Sequence, residues 1–190
     1  HVFVSPGTLN GKPLRSILYD TVSDKYGQFL LEELLPEVYA KYNIRKDAYS
    51  RAIQGQSSGG IAAFTVAFNH PENFSRVYTV VGSFVALQWK PGELDGGNIY
   101  PFKVRREPKR NLRVWMNDGS EDQETNPGSW PLQNIQLANS LKMKGYDFNF
   151  SFGHGTHHAA QAAPELPECL TRLWRDYDPA RTEQIFEQSA

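Results

Sequence analysis

The chain has 190 residues, of which 39% are hydrophobic, 13% aromatic and 22% charged, and this composition excludes disordered, collagen-like and low-complexity proteins. Its 20 Lys and Arg balance 21 Asp and Glu, so the net charge of -1 provides no general attraction to nucleic acid or to an anionic membrane. One cysteine excludes an intrachain disulfide and any CxxC motif, and no apolar run approaches the roughly 18 residues that span a bilayer. We expect one domain over residues 1–190.

The first quarter of the chain predicts a short strand and a long helix. Residues 2–4 are β-branched and aromatic and precede a turn, which is typical of a buried strand. Within residues 20–42, apolar side chains recur at helical spacing, with Ser23 as a candidate N-cap. Pro36 lies inside this helical pattern, so we expect a kink there.

The rest of the chain alternates predicted strands and helices. We expect strands over 49–54, 77–81, 112–116 and 146–152, and helices over 58–68, 131–143 and 166–177. This alternation predicts an α/β fold with a mostly parallel sheet flanked by helices, in which ligands bind at the carboxyl ends of the strands. The turn-rich stretch 82–110 is longer than a usual connection and is a candidate binding loop or lid.

The motif GQSSG at residues 55–59 fits the GxSxG pattern and lies between a predicted strand and a predicted helix. In a nucleophile elbow, the central serine occupies a strained turn, and glycines two residues before and after it avoid collisions with the strand and the helix. Ser57 occupies that central position. A plain tight turn with a solvated serine is the alternative, and the strand before and helix after favour the elbow.

A nucleophilic serine also needs a carboxylate that orients its histidine. The loop after the predicted strand 112–116 is acidic, and in α/β hydrolases the acid follows the serine in the chain. We choose Asp122 as the acid and keep Asp118, which lies nearer the strand end, Glu121 and Glu124 as alternatives. An Asp-Gly loop that serves only as a turn is the structural alternative.

The histidine is expected in the next such loop, after the predicted strand 146–152. We choose His157 as the general base, with His154 and His158 as alternatives. A metal cluster is the competing interpretation of these three histidines, but neither a second cysteine nor an HExxH frame supports it. His70, beside Pro71, is expected to cap a helix or face solvent.

Several side chains are candidates for contacting a substrate. Trp130, together with Gln56 inside the GxSxG motif, is our choice for substrate binding. Other aromatic residues could line the same pocket or equally belong to the core or the surface, namely Trp89, Tyr100 and Phe102.

Seven segments together resemble one family, and they are SPG at 5–7, YDTVSDKYGQFLLEELLPEVYAKY at 19–42, RAIQGQSSGGIAAFTVAFNHPENFSRV at 51–77, VGSF at 81–84, VWMNDGSEDQ at 114–123, WPLQNIQLANSLKMKGYDF at 130–148 and LTRLWRDY at 170–177. The chain resembles the putative esterases of the enterochelin-esterase-like and esterase D type, within the α/β-hydrolase superfamily. The resemblance assigns the nucleophile to Ser57, the acid to Asp122 and the histidine to His157, in a turn that here reads GHGTH rather than the usual GEGGH-like sequence. It also implies an oxyanion donor at the backbone N–H of Ser58.

This resemblance implies a serine carboxylic-ester hydrolase that forms an acyl-enzyme and needs no metal or organic cofactor. The implied substrates are siderophore trilactones, hydroxycinnamoyl esters on polysaccharide or acetylated sugars, with neither nucleic acid nor membrane as a partner. An acyltransferase of the same fold and a non-catalytic hydrolase-like binding module are the alternatives.

Family members carry further strands before the segment equivalent to residues 2–4, including a loop that contributes to the oxyanion hole. The resemblance therefore implies that residues 1–190 are the C-terminal part of a longer domain, with a preceding segment completing the sheet. It favours a periplasmic or secreted location over a cytoplasmic one, and a homo-oligomer is compatible with the sequence.

Overall fold

The structure, a computed structural model, describes residues 1–188. Its centre is a sheet of four parallel strands, which are, in spatial order, Ala52–Gln56 (β3), Arg76–Val80 (β4), Arg113–Glu121 (β5) and Asp147–Thr156 (β8). Two short antiparallel pairs lie outside this sheet, formed by Thr8–Leu9 (β1) with Lys12–Pro13 (β2) and by Glu124–Thr125 (β6) with Gly128–Ser129 (β7).

Helices connect and cover these strands. They are Arg15–Tyr19 (α1), Lys25–Gln28 (α2), Leu35–Lys41 (α3), Ser58–Asn69 (α4), Tyr100–Arg106 (α5), Trp130–Met143 (α6) and Leu166–Leu173 (α7). Single 3-10 turns occur at Ala48–Ser50, Gly97–Ile99 and Ala159–Gln161. Among the helices of residues 1–188, none has the length and apolar character that crossing a bilayer requires.

The sheet is covered on both faces, as expected for parallel strands. Val114 and Met116 of β5 point into the larger core cluster, which also contains Phe64 of α4. Trp115, between them in sequence, points to the opposite face and packs in a second cluster with Leu173 of α7. This alternation follows from the two-residue period of a strand and confirms the predicted α/β fold.

The prediction of a strand over residues 2–4 is wrong. These residues form no strand, and the side chain of Phe3 is 95% exposed. A short β-branched run becomes a strand when a neighbouring strand accepts its backbone hydrogen bonds and a core accepts its side chains. No strand pairs with residues 2–4 within the described chain, and of the three side chains only Val4 packs against the core.

The long helix expected over residues 20–42 is present, with a different start and a different irregularity. Ser23 does not cap it, because α2 begins at Lys25 after Asp24. A π-helical segment, Phe29–Leu34, joins α2 to α3 and ends just before Pro36. Since proline has no N–H to donate, a widened turn beside it is a natural way to continue the helix, and the kink at Pro36 stays a prediction.

The strands differ from the predictions mainly at their ends. β3 begins later than the expected strand 49–54 and continues through Gly55, because residues 48–50 form a 3-10 turn held by the Asp47 side chain, which accepts from the Ser50 N–H at 2.9 Å. β5 and β8 extend past residues 116 and 152 towards the expected site loops.

One further stretch is more regular than expected, and another is less regular. The candidate loop 82–110 is not irregular throughout, because it contains α5. The last helix ends at Leu173 rather than at residue 177. Predictions for α4, β4 and α6 are within one residue of the observed bounds.

Candidate active site

Ser57 lies on a sharp turn between β3 and α4. Its backbone has φ 57° and ψ −122°, a conformation that residues with a side chain rarely adopt. The turn is held on both sides, because the Ser57 N–H donates to Val80 O at 2.9 Å and Ser57 O accepts from the Ser83 N–H at 3.1 Å. The strained turn therefore fixes the Ser57 hydroxyl at the carboxyl edge of the sheet.

The glycines of the motif do not share one role. A Cβ at Gly55 would lie 1.9 Å from the carbonyl oxygen of Gly59, so a side chain cannot fit there. A Cβ at Gly59 would meet nothing within 4 Å. The prediction that a side chain at this position would collide with its neighbours is therefore wrong. The second close approach occurs at Gly60 instead, 3.0 Å from the Cα of Gly82, because α4 turns residue 60 towards the neighbouring strand.

A continuous path of hydrogen bonds begins at the Ser57 hydroxyl. Ser57 Oγ lies 2.8 Å from Nε2 of His157, and Nδ1 of His157 lies 2.6 Å from Oδ1 of Asp122. Each of the three residues directly follows the last residue of its strand, β3, β8 and β5 respectively. In this geometry the imidazole can accept the serine proton while the carboxylate orients the ring.

The environment of Asp122 favours its ionised form. Burial by itself would raise the pKa of this carboxyl group. Hydrogen bonds with His157, with Asp118 and from the Gln123 N–H outweigh burial, and the pKa of Asp122 is lowered below its ordinary value. Asp122 is therefore a carboxylate at neutral pH and accepts the Nδ1–H of His157.

Two glycines bring the acid loop and the histidine loop together. A Cβ at Gly119 would lie 2.2 Å from the carbonyl oxygen of Gly155, so the two backbones touch. The pairing of β5 with β8 is irregular between Gly119 and Glu121. A bulge of this kind bends the strand and redirects its side chains, here placing Asp122 beside His157.

The alternative acids do not contact His157. Glu121 and Glu124 are exposed, and Glu124 accepts a hydrogen bond from the Ser129 hydroxyl. Asp118 is 1% exposed, and its Oδ1 accepts from the Gly119 N–H at 2.8 Å. The contact with His157 is made by Asp122.

The other histidines have separate surroundings. His154 is exposed, with Nδ1 3.3 Å from Ser120 Oγ, and Nδ1 of His158 accepts from the Ala160 N–H at 3.0 Å. His70 is the C-cap residue of α4, one of the two roles expected for it, and its Nε2 lies 2.6 Å from Asp24 Oδ1. Within residues 1–188, no three His, Cys, Asp or Glu side chains are arranged to hold a metal ion.

Ser83 was not among the predicted site residues, although its hydroxyl contacts the nucleophile. Ser83 Oγ lies 3.2 Å from Ser57 Oγ, and the indole Nε1–H of Trp130 donates to Ser83 Oγ at 3.1 Å. Trp130 also packs edge-on against the ring of His157, with centroids 5.6 Å apart. Trp130 is thus buried next to Ser83 and His157. The signal that could have marked Ser83 is the family-like segment VGSF at 81–84, which contains it.

The remaining candidates differ in exposure. Gln56 is exposed at the end of β3, whereas Tyr100 is fully buried and donates to Thr65 Oγ1 at 2.6 Å. Trp89 and Phe102 are exposed. The structure therefore assigns Tyr100 to the core and leaves the other two rings on the surface.

Ser58 begins α4, so its N–H is one of the first-turn groups that have no acceptor inside the helix. Its hydroxyl is occupied differently, because Ser58 Oγ accepts from Nη1 of Arg15 at 2.8 Å. The hydroxyl of Ser58 is therefore engaged by Arg15, and its backbone N–H has no acceptor within α4.

A comparison with protein-family models identifies the family of this chain. The sequence model of the family described as "Putative esterase" matches residues 20–173, which include Ser57, Asp122 and His157. The chain belongs to this esterase family. A comparison with curated protein sequences gave no significant match.

Solved structures resemble the fold of this esterase-family chain. The enterobactin esterase from Shigella flexneri has a TM-score of 0.67 at 23% identity, over 85% of this chain and 41% of that one. A ferulic acid esterase has a TM-score of 0.67 at 23% identity, over 84% of this chain and 64% of that one. S-formylglutathione hydrolase from Staphylococcus aureus has a TM-score of 0.58 at 19% identity, over 80% of this chain and 63% of that one. The chain thus spans less than two thirds of each.

Proposed function

We propose that this chain carries the catalytic triad of a serine carboxylic-ester hydrolase, with Ser57 as nucleophile, His157 as general base and Asp122 as the orienting acid. The observation that supports the proposal is the unbroken path from Ser57 Oγ through both ring nitrogens of His157 to Asp122, with distances of 2.8 and 2.6 Å. Membership of an esterase family supports the reaction class.

The proposed reaction has two steps. The Ser57 oxygen attacks the ester carbonyl carbon while Nε2 of His157 takes the hydroxyl proton, and Asp122 stabilises the resulting imidazolium. The tetrahedral intermediate expels the alcohol, which receives that proton from Nε2. Water then attacks the acyl-serine ester, again with His157 as base, and releases the carboxylic acid.

The negative charge of the tetrahedral oxygen needs a hydrogen-bond donor. We assign the backbone N–H of Ser58 to this role, because it adjoins the nucleophile and belongs to the free first turn of α4. The positive end of the helix dipole adds to the same attraction. One donor of this kind is worth about 10²- to 10³-fold in kcat.

Three classes of ester are candidate substrates, and the comparisons suggest the order in which to test them. The similar structures include an enterobactin esterase and a ferulic acid esterase, so siderophore and hydroxycinnamoyl esters come before acetylated sugars. Gln56 is exposed at the edge that holds Ser57 and is our candidate for contacting the substrate. Trp130, our other candidate, is buried against the ring of His157.

The first experiment removes the nucleophile. Ser57→Ala is expected to lower p-nitrophenyl acetate turnover at least about 10³-fold and to abolish labelling by a fluorophosphonate. Ser120→Ala is the matched control, because Ser120 also contacts a histidine, His154, at 3.3 Å on the exposed surface. It should leave both readouts unchanged.

Labelling that persists in Ser57→Ala would move the nucleophile to another residue. Ester binding without turnover by the unmodified protein would identify a binding module instead of a hydrolase. Transfer of the acyl group to an added alcohol in preference to water would identify an acyltransferase.

A further inference from the structure

We propose that Asp118 is a positioning residue of this site, which keeps a proton and donates a hydrogen bond from it to the free oxygen of the Asp122 carboxylate. The inference rests on the proposed function, since it concerns the same triad. It extends the path of hydrogen bonds by one carboxyl group beyond Asp122.

The two carboxyl groups meet inside the protein. Asp118 is 1% and Asp122 6% exposed, and the two carboxyl groups influence each other's ionisation at the end of β5, where its pairing with β8 is irregular. One oxygen of each group has a donor, because Asp122 Oδ1 faces His157 Nδ1 and Asp118 Oδ1 accepts from the Gly119 N–H. Oδ2 of Asp118 and Oδ2 of Asp122 are buried, and neither has a partner among the described groups.

A third buried acceptor belongs to Asn134, which lies beside Asp118. Nδ2 of Asn134 donates to the carbonyl oxygens of Gly82 and Trp130, and these two bonds fix which way the amide points. Oδ1 of Asn134 is then buried without a donor in the described structure, and the Asn134 side chain contacts Asp118. Asp118 Oδ2, Asp122 Oδ2 and Asn134 Oδ1 are thus three buried acceptors without a donor among the described groups, and a neutral Asp118 would supply one hydrogen.

The surrounding charges decide which carboxyl group keeps the proton. Two carboxylates in contact inside a protein do not both ionise. Asp118 faces Asp122, the Gly119 N–H and the neutral amide of Asn134, and the last two favour its ionised form. Asp122 faces Asp118, His157 and the Gln123 N–H. Burial, followed by the bond with Asp122, raises the pKa of Asp118 well above its ordinary value, while the pKa of Asp122 is lowered.

This donor would act on catalysis through Asp122. A hydrogen bond to Oδ2 fixes the rotation of the carboxylate, so that Oδ1 stays directed at His157 Nδ1 while the ring gains and loses its proton. The charge-assisted bond to Asp122 is favoured over a neutral bond to Asn134 Oδ1, because bonds to ionised acceptors are about twice as strong.

Two variants separate the hydrogen bond from the shape of the side chain. Asp118→Asn keeps an N–H donor of similar size and should retain kcat within about threefold, whereas Asp118→Leu removes the donor and should lower kcat about 10- to 100-fold with little change in KM. Equal losses in both variants, or an unchanged kcat in Asp118→Leu, would overturn the proposal.

A readout without turnover keeps this test independent of the esterase proposal. The ¹³C carboxyl resonance of Asp118, recorded in the Ser57→Ala background, should report a protonated acid at pH 7, and an ionised Asp118 would refute the inference. If Ser57→Ala retained full activity while Asp118 carried its proton, the proposed function would fail and the protonated pair would stand.

Stability gives a second independent readout. A folded-state pKa raised above the unfolded value of 3.8 means that the folded protein binds one more proton between that pH and about pH 9. Stability contributed by Asp118 is therefore complete below the unfolded pKa and is lost as pH rises towards the folded pKa. Asp118→Asn should gain stability relative to the unmodified protein as pH rises through this window, and parallel stability curves would contradict the proton on Asp118.

Discussion

At the nucleophile, the chemistry of each donor fixes the direction of the whole hydrogen-bond path. The Trp130 indole N–H can only donate, so Ser83 Oγ accepts from it and keeps its own O–H for Ser57 Oγ. The Ser57 O–H is then directed at His157 Nε2, and the Nδ1–H of His157 at Asp122. The hydroxyl of Ser57 is held in one rotamer from both sides before a substrate binds.

This path predicts a specific effect of removing Ser83. Ser83→Ala should lower kcat about 5- to 10-fold, the value of one ordinary hydrogen bond, because Ser57 would sample rotamers that do not face His157. KM should change little, since Ser83 is 1% exposed. The measurement is p-nitrophenyl acetate turnover together with the rate of fluorophosphonate labelling, with Ser120→Ala again as reference. A Ser83→Ala protein with the original labelling rate would mean that the contact does not orient Ser57.

Individual site residues could be predicted where chain order carries information. The contact of Ser57, His157 and Asp122 was inferred because each candidate follows a strand of one parallel sheet, where neighbouring carboxyl ends must converge. Ser83 also follows a strand, but its contact depends on a tryptophan 47 positions later, and no local pattern encodes that distance. The pairing of Asp118 with Asp122 similarly depends on a bulge that the strand pattern does not show.

At the scale of elements, the turn from β3 to α4 is the feature on which the site depends most. The close contact of Gly55 with Gly59 O lets the helix begin immediately after the strand, which leaves Ser57 in its strained conformation. Part of the folding free energy maintains that strain, as at other functional turns. The packing of β3, β4 and α4 supplies this part of the folding free energy.

Two alanine substitutions in the motif should therefore behave oppositely. Gly55→Ala places a Cβ 1.9 Å from a backbone oxygen, so we expect a loss of about 1–3 kcal/mol in unfolding free energy and a fall of about 10²-fold in kcat. Gly59→Ala meets open space inside a helix and should be neutral or stabilise by up to about 1 kcal/mol. Urea unfolding and esterase assays measure both. Equal effects of the two substitutions would show that packing at Gly55 does not shape the turn.

Element prediction succeeded where periodicity was long and failed where it was short. Helices α4 and α6 span 12 and 14 residues, and such lengths give a clear helical period. Residues 2–4 were too few to distinguish a strand from an exposed coil, and the start of β3 moved because the Asp47 side chain stabilises a turn. These errors arise from contacts beyond the local window rather than from the hydrophobic pattern.

For the whole molecule, the sheet separates chemistry from structural support. The catalytic candidates follow the carboxyl ends of the strands, whereas buried Arg76, Arg113 and Asp147 begin β4, β5 and β8 at the opposite edge. Arg113 bonds Asp147 at 2.6 Å. The domain assignment for residues 1–190 stays a prediction, which two core clusters on one shared sheet support.

Arg76 is the centre of the support at that edge. Its guanidinium is fully buried, donates to the carbonyl oxygens of Leu173 and Tyr49, and lies over the rings of Tyr49, Trp174, Tyr177 and Phe186. Burial, followed by the charge of Arg113, lowers the pKa of Arg76 to about 10, so it remains a cation at neutral pH. It connects the segment after α7 to the start of β4.

If the two edges of the sheet are independent, removing this cation should affect stability alone. Arg76→Met keeps the apolar stem but removes the Arg76 donor from the carbonyl oxygen of Tyr49 and leaves that of Leu173 with only the 3.3 Å bond from Arg113 Nη1. We expect a loss of about 2–4 kcal/mol in unfolding free energy. Arg172→Met, which removes an exposed pair with Glu168 at 3.5 Å, should change it by less than about 0.5 kcal/mol. Urea unfolding followed by tryptophan fluorescence compares the two variants. Fluorophosphonate titration counts the folded sites. Turnover per labelled site in Arg76→Met should equal that of the unmodified protein. A lower value would mean that the amino edge of the sheet also positions Ser57, His157 or Asp122.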